Sequence, residues 1–305
     1  MNSVEFAKPS NPLLLPRLEL PTGKLSMVLD TDTYNEIDDQ FALVYALKSS
    51  DRLQVEAVYA APFSNVRAAD PGTGMEKSHE EILRVLDRMQ IRPEGFVYKG
   101  STQYLPDLSR PCDSAAARDL VDRALAADKP LYVVAIGAIT NIASAILMEP
   151  RIMEKIVVVW LGGHALYWPD TREFNLKQDI LAAQVLFDCG VPFVQIPCMN
   201  VASHLTTTVH ELKFHMEGKS AIATYLYEIF RDYVAEHQKL SKEIWDISAI
   251  AYLLHPDWVT THIVHSPVLN DSLTWSVDTG RHFIKTAVAI NRDAIFQDLF
   301  GKCRQ

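Results

Sequence analysis

The stretch Leu29-Asp30-Thr31-Asp32-Thr33-Tyr34-Asn35-Glu36-Ile37-Asp38-Asp39 places five carboxylates within ten residues, where an apolar run hands over to a helix-like one. Ionised carboxylates this close repel one another, so they either share protons or hold a cation. An all-oxygen donor set suits Ca²⁺ or Mg²⁺ better than zinc or copper. Capping of the next helix by Asp38 and Asp39 accounts for two of the acids, but not for five. An EF-hand loop needs Gly at its sixth place and Glu at its twelfth; here those places hold Asn35 and Phe41, which excludes it.

Such a cluster must be held by rigid elements, and the chain supplies them as short apolar runs alternating with amphipathic stretches, the pattern of βα units around a mostly parallel sheet. Strands are expected at Ser26–Leu29, Val55–Ala60, Phe96–Tyr98, Tyr132–Ala135, Ile156–Leu161 and Phe193–Ile196. Helices are expected between them, at Asp39–Leu47, from Ser78 with Glu81 as a capping box, and at Ser114–Ala126, Asn141–Leu147 and Ile180–Phe187. After Pro197 the rhythm changes to a long helix, Ser220–Glu236, a further helix between Asp246 and Pro256, and strands at Val259–His265, Leu273–Val277 and Phe283–Ile290. No linker or repeat divides the chain. The expected fold is therefore α/β, a single domain with a mostly parallel open sheet flanked by helices over residues 25–305. Residues 1–24 carry Pro9, Pro12, Pro16 and Pro21 and are expected to form an extended arm.

A chain of 305 residues, 48% of them hydrophobic, can bury a full core, which excludes intrinsic disorder. Asp and Glu number 38 against 29 Lys and Arg, a formal balance of −9 that argues against nucleic acid or an anionic membrane as partner. The four cysteines are too scattered for a disulfide framework or a zinc site and are expected as reduced thiols. With no apolar signal segment and no run of membrane-spanning length, a cytoplasmic location is expected.

Two known patterns are similar to the acidic stretch. The Asp-x-Asp-x-Thr of haloacid-dehalogenase-like phosphatases fits Asp30 and Asp32, with Tyr34 at the Thr place. That resemblance implies an Mg²⁺-dependent phosphatase with Asp30 as nucleophile. The inosine–uridine nucleoside hydrolases end their first strand in Asp-x-Asp-Pro-Gly-x-Asp-Asp, which Asp30, Asp32, Asp38 and Asp39 resemble, with five residues between Asp32 and Asp38 instead of three. The second resemblance continues in order along the chain. Gly137-Ala138-Ile139-Thr140-Asn141 is similar to that family's Gly-Pro-Leu-Thr-Asn, Leu161-Gly162-Gly163 to its Met-Gly-Gly, and Glu173-Phe174-Asn175 to its Glu-Phe-Asn. Asp179 with Ala182-Ala183 resembles its Asp-Pro-Glu-Ala-Ala, and Trp245-Asp246 stands where the family has His-Asp.

The hydrolase resemblance implies a Ca²⁺-dependent N-ribohydrolase that cuts ribonucleosides to base and ribose, with a homo-oligomer, dimer or tetramer, expected. Such a reaction passes an oxocarbenium-like transition state and needs an activated water, a grip on the ribose and help for the departing base. By resemblance Asp32 is both metal ligand and catalytic base; Asp39, Asp246 and the Thr140 carbonyl are further ligands; Asp38, Glu173, Asn175 and Asp246 hold ribose hydroxyls. Asn65 corresponds to a ribose-binding Asn or is a turn former, and both readings stand. Thr140 and Asn141 alternatively cap the following helix, and Glu173 with Asn175, read alone, fit an exposed strand edge. Trp245 cannot be a general acid, but can stack on a purine or be an ordinary rim aromatic. Phe230, Tyr233 and His237, at helical spacing, fit a base-pocket face or core packing. A third reading is a non-catalytic homologue that binds a ribosyl compound, disabled by the longer acidic loop and the missing His.

Overall fold

Val28, Val133 and Val158 lie in one buried cluster and Leu29, Val134 and Val159 in another, so consecutive residues of three neighbouring strands feed cores on opposite faces of one sheet. A sheet buried on both sides is the parallel kind, covered by crossover helices. The structure, a computed structural model, describes residue 6 and residues 11–304.

In chain order, α1 (Asn11–Leu14) precedes β1 (Leu25–Thr31), α2 (Asp38–Lys48), β2 (Leu53–Ala60), α3 (Pro71–Arg88) and β3 (Val97–Lys99). Next come α4 (Ala115–Ala126), β4 (Leu131–Ala135), α5 (Thr140–Met148), β5 (Ile156–Leu161), α6 (Phe174–Gln178), α7 (Ile180–Cys189) and β6 (Phe193–Ile196). The remainder forms β7 (Thr206–Thr208), α8 (Val209–Met216), α9 (Ala221–Glu236), β8 (Ser241–Glu243) and α10 (Ile247–Leu254). It ends with β9 (Val259–His265), β10 (Val268–Leu269), β11 (Trp275–Ser276), β12 (Phe283–Ile290) and α11 (Arg292–Cys303).

Eight strands form one sheet in the order β3-β2-β1-β4-β5-β6-β12-β9. All pairs are parallel except β12 with the edge strand β9. The chain moves outward from β1 through β2 to β3, then returns to β4 on the other side of β1. That reversal opens a crevice beyond the carboxyl ends of β1 and β4, where open α/β sheets bind ligands. The expected single α/β domain is what forms, and no helix among the described residues is long and apolar enough to cross a membrane.

Four local expectations change. The helix expected from Ser78 starts eight residues earlier: Asp70 caps it by accepting from the Thr73 amide at 2.9 Å, and Pro71 takes its first turn. Its Pro-Gly-Thr-Gly opening reads as loop because glycine disfavours helix. Gly74 is there for packing, since a Cβ on it would lie 1.9 Å from the Phe63 carbonyl oxygen. Ser78 is instead buried inside α3, its hydroxyl 3.1 Å from the Gly74 carbonyl. The strand expected over Leu273–Val277 shrinks to β11, because Leu273 has a φ of +61° and closes a turn onto Asn270. The expected extended arm is helical over Asn11–Leu18. Leu14 and Leu18 are buried there, and the Arg17 guanidinium donates to the carbonyls of Met153 and Ile156 at 3.0 and 3.1 Å. Residues 1–5 and 7–10 of that arm lie outside the described residues. Finally, Glu173-Phe174-Asn175 is no strand edge: Glu173 caps α6.

Candidate active site

Asp32 follows β1 directly, and its carboxylate oxygen Oδ2 is buried without a hydrogen-bond partner. The loop after it ends where α2 begins at Asp38. Neither Asp38 nor Asp39 serves as a cap: Ile37 occupies that place without a side-chain bond. Their oxygens are engaged elsewhere, Asp38 Oδ2 accepting from the Trp245 amide at 3.1 Å and Asp39 Oδ1 from the Thr31 hydroxyl at 2.5 Å. Asp246 opens α10, so two helix N-termini bring their positive ends to one spot. Oxygens of Asp38, Asp39 and Asp246 lie within 4.8 Å of one another, all buried, and Asp32 reaches Asp39.

Burial, and then the charges of Asp39 and Asp38, push the Asp32 carboxyl well above its ordinary range. Burial followed by the Asp38 charge takes Asp39 to about 7. Asp246 rises for the same reasons, burial first and then its three acidic neighbours. Such a set of hard oxygen donors, one of them orphaned, fits a divalent cation such as Ca²⁺. Of the expected ligands, Asp39 and Asp246 stand in this three-acid group, joined by Asp38, which was expected on the ribose. Thr140 is buried at the start of α5, its hydroxyl donating to Asp179 at 2.7 Å, which leaves its backbone carbonyl as the group expected to reach a cation.

The acids border a cavity of about 430 Å³. Glu173 and Asn175 line one part of it. Glu173 is fixed by the amides of Gly163, Asn175 and Leu176 at 2.8–2.9 Å. Asn175 spends both amide protons on the carbonyls of Ile136 and Leu161, each at 3.0 Å, which leaves its oxygen as the group it can offer the cavity. The Gly162-Gly163 pair lets the chain turn this closely, Gly163 having a φ of +72°. Trp245, Tyr233 and His237 line another part, whereas Phe230 is wholly buried core. Asn65 shapes its own turn, as one of its two readings expects, accepting from the Arg67 amide at 2.7 Å while donating to Asn35 Oδ1 at 2.7 Å, and it also lines the cavity.

Asp30 has no part in the cavity lining. It is fully buried under Asn141, which donates to it at 2.7 Å, and burial pushes its carboxyl to about 7. A covalent nucleophile must reach its substrate, so the phosphatase reading is not favoured. Asn141 likewise acts as a bracket rather than a cap, accepting from the Ser101 amide at 2.8 Å.

Several cavity residues escaped the sequence reading: Arg67, His164, Arg172, Cys198 and Met199 all line it. So does a pairing. Lys242 is buried, donates to Glu36 Oε2 at 2.6 Å and lies 3.5 Å from Asp38 Oδ1. Burial alone raises Glu36, but the charge and hydrogen bond of Lys242 outweigh it and hold the carboxyl below its ordinary range. A lysine three residues before Trp245 was a visible signal, but nothing local separates it from a solvated one.

Gly137 sets the fit around Asp32. A Cβ there would stand 3.1 Å from Asp32 Cγ and 3.1 Å from Ala61 Cβ. Gly137→Ala should therefore displace the Asp32 carboxylate by a few tenths of an ångström, lowering turnover roughly tenfold with little change in melting temperature. Turnover equal to that of the unmodified protein would show that Asp32 needs no such exact placement.

The sequence pattern of the family described as "Inosine-uridine preferring nucleoside hydrolase" matches residues 27–297. The pyrimidine-specific ribonucleoside hydrolase RihA of Salmonella paratyphi A is 26% identical over 268 residues, covering 78% of this chain and 82% of that protein. Among solved structures, a purine-preferring ribonucleoside hydrolase from Gardnerella vaginalis has a TM-score of 0.74 at 21% identity, over 92% of this chain and 98% of its own. An inosine-guanosine nucleoside hydrolase has a TM-score of 0.75 at 14% identity, with the same coverage. At these identities the two structures establish the fold.

Proposed function

Because the chain belongs to the family of inosine-uridine preferring nucleoside hydrolases, we propose that it hydrolyses the N-glycosidic bond of ribonucleosides to free base and ribose, with Ca²⁺ as cofactor. The observation that carries this reading is the convergence of Asp32, Asp38, Asp39 and Asp246 at a cavity whose other walls hold Glu173, Asn175 and Trp245. Asp32, Asp39, Asp246 and the Thr140 carbonyl would hold the cation, with Asp38 close enough to Asp39 and Asp246 to join them. Ca²⁺ bound there would supply positive charge that lowers the pKa of a water and favours the approach of the ribose diol.

Asp32 takes the water's proton, since its Oδ2 has no competing donor. Asp38, Asp246, Glu173 and the Asn175 oxygen grip the ribose hydroxyls, and Asn65 adds a contact from the opposite loop. Once C1′ starts to lose the base, the sugar becomes cationic, and the ring of carboxylates favours that charge more than the neutral ground state. Trp245 offers a π-face on which the base stacks as it leaves.

A panel of purine and pyrimidine ribonucleosides, incubated with and without chelator and assayed for free reducing sugar, tests the reading. Ribose and base should appear in equal amounts, vanish with chelator and return on adding Ca²⁺. Ribose binding without turnover would make the protein a non-catalytic homologue, and turnover untouched by exhaustive chelation would remove the metal from the reaction.

A further inference from the structure

Glu36 belongs to the lengthened acidic loop, yet its position is set by other elements. Lys242, the middle residue of β8, donates to Oε2 at 2.6 Å, and the Tyr233 hydroxyl on α9 donates to Oε1 at 3.1 Å. Lys242 is itself anchored by the Glu243 carbonyl at 3.1 Å and by Asp38. Two donors use only part of a carboxylate's accepting capacity. The side chain of Glu36 is 40% exposed and lines the cavity beside Tyr233 and Trp245. Asp38 and Asp246 line the same cavity, and the Trp245 amide donates to Asp38, so a base stacked on Trp245 would share that cavity with Glu36.

We propose that Glu36, positioned by Lys242, is a specificity-determining residue that selects nucleosides whose base presents an N–H donor. The inference rests on the hydrolase reading above and deepens it. An N–H on the base satisfies the open lone pairs of Glu36, whereas a base with only ring nitrogens or carbonyls there faces the charged acceptor with another acceptor. Arg67, whose guanidinium lies 5.7 Å from the Tyr233 ring centroid on the same wall, can serve a neighbouring acceptor of the base without replacing the donor that Glu36 requires.

Two matched pairs isolate the effect: adenosine against purine riboside, and cytidine against pyrimidin-2-one riboside, each second member lacking the exocyclic amine. Their ratios of kcat/KM are compared between the unmodified protein and Glu36→Gln, so that intrinsic leaving-group differences cancel. The preference for the amino-bearing member should shrink by about tenfold or more in the variant, the scale of one hydrogen bond to a charged group. Lys242→Arg should keep most of the preference, and Lys242→Met should lose it as Glu36→Gln does. Equal ratios in Glu36→Gln and the unmodified protein overturn the assignment of Glu36; an unchanged ratio in Lys242→Met overturns that of Lys242. Quenching of tryptophan emission by 9-methyladenine and by 9-methylpurine, whose N9 is blocked as in the ribosides, gives the same comparison without turnover. A preference for 9-methyladenine lost in Glu36→Gln, in a protein that cleaves neither riboside, sinks the hydrolase reading and keeps this one. No discrimination by either measure sinks this one alone where ribose is released, and both where it is not.

Discussion

Asp32→Asn should lower kcat for ribonucleoside hydrolysis by about 10²–10⁴-fold, the scale expected when a positioned base is lost. The carboxamide has the same shape, and Asp32 is buried at the end of a strand, so the fold should persist. Melting temperature without metal should hold or rise, because the substitution removes one of four carboxylates that burial and mutual repulsion push toward the neutral form. A merely structural Asp32 predicts the opposite pattern, with stability falling and kcat intact. Initial rates of ribose release, with thermal melts on the same preparation, separate the two. A kcat within tenfold of the unmodified protein would remove Asp32 from the role of base. Asp30→Asn is the useful contrast: it disturbs the Asn141 bracket under the sheet, not the cavity.

What was legible in the sequence is what depends on neighbours along the chain. The Val-rich runs of β4 and β5 read as strands because both faces of those strands are buried. The acids of residues 30–39 read as a site because a strand end is where ligand groups gather. Glu173 and Asn175, two residues apart, read equally as an exposed edge; only the amides of Gly163, Asn175 and Leu176 around Glu173 settle that they form a helix cap. The Glu36–Lys242 pair spans 206 residues of sequence, and no periodicity reports so distant a contact. The opening of α3 was hidden for a different reason. Gly74 lies in a helix against propensity because the Phe63 backbone leaves no room for a side chain, a tertiary demand that overrides a local one.

The second large effect concerns stability, pH and calcium together. Asp39, at about 7 in the fold against about 3.9 for an unperturbed aspartate, prefers to be protonated when buried beside Asp38 without a cation. A carboxyl raised by folding contributes stability that is complete below about pH 4 and is lost as pH rises through about 7. Asp32, Asp38 and Asp246 are shifted the same way and add to the slope. In chelator, the melting temperature should therefore fall between about pH 5 and pH 8, by a free energy on the order of a few kcal/mol. On the proposed reading Ca²⁺ would bind the ionised carboxylates of the folded state and not the unfolded chain, so millimolar Ca²⁺ should raise the melting temperature most at the alkaline end and flatten or reverse the slope. Asp39→Asn separates the charge from the fold. In chelator at pH 8 it should melt at or above the unmodified protein, having lost a repelling carboxylate, yet it should gain little from Ca²⁺. A calcium-induced rise as large in Asp39→Asn as in the unmodified protein would place the ion elsewhere. A melting temperature that does not fall with pH in chelator would mean that Lys242, 3.5 Å from Asp38, already neutralises the cluster.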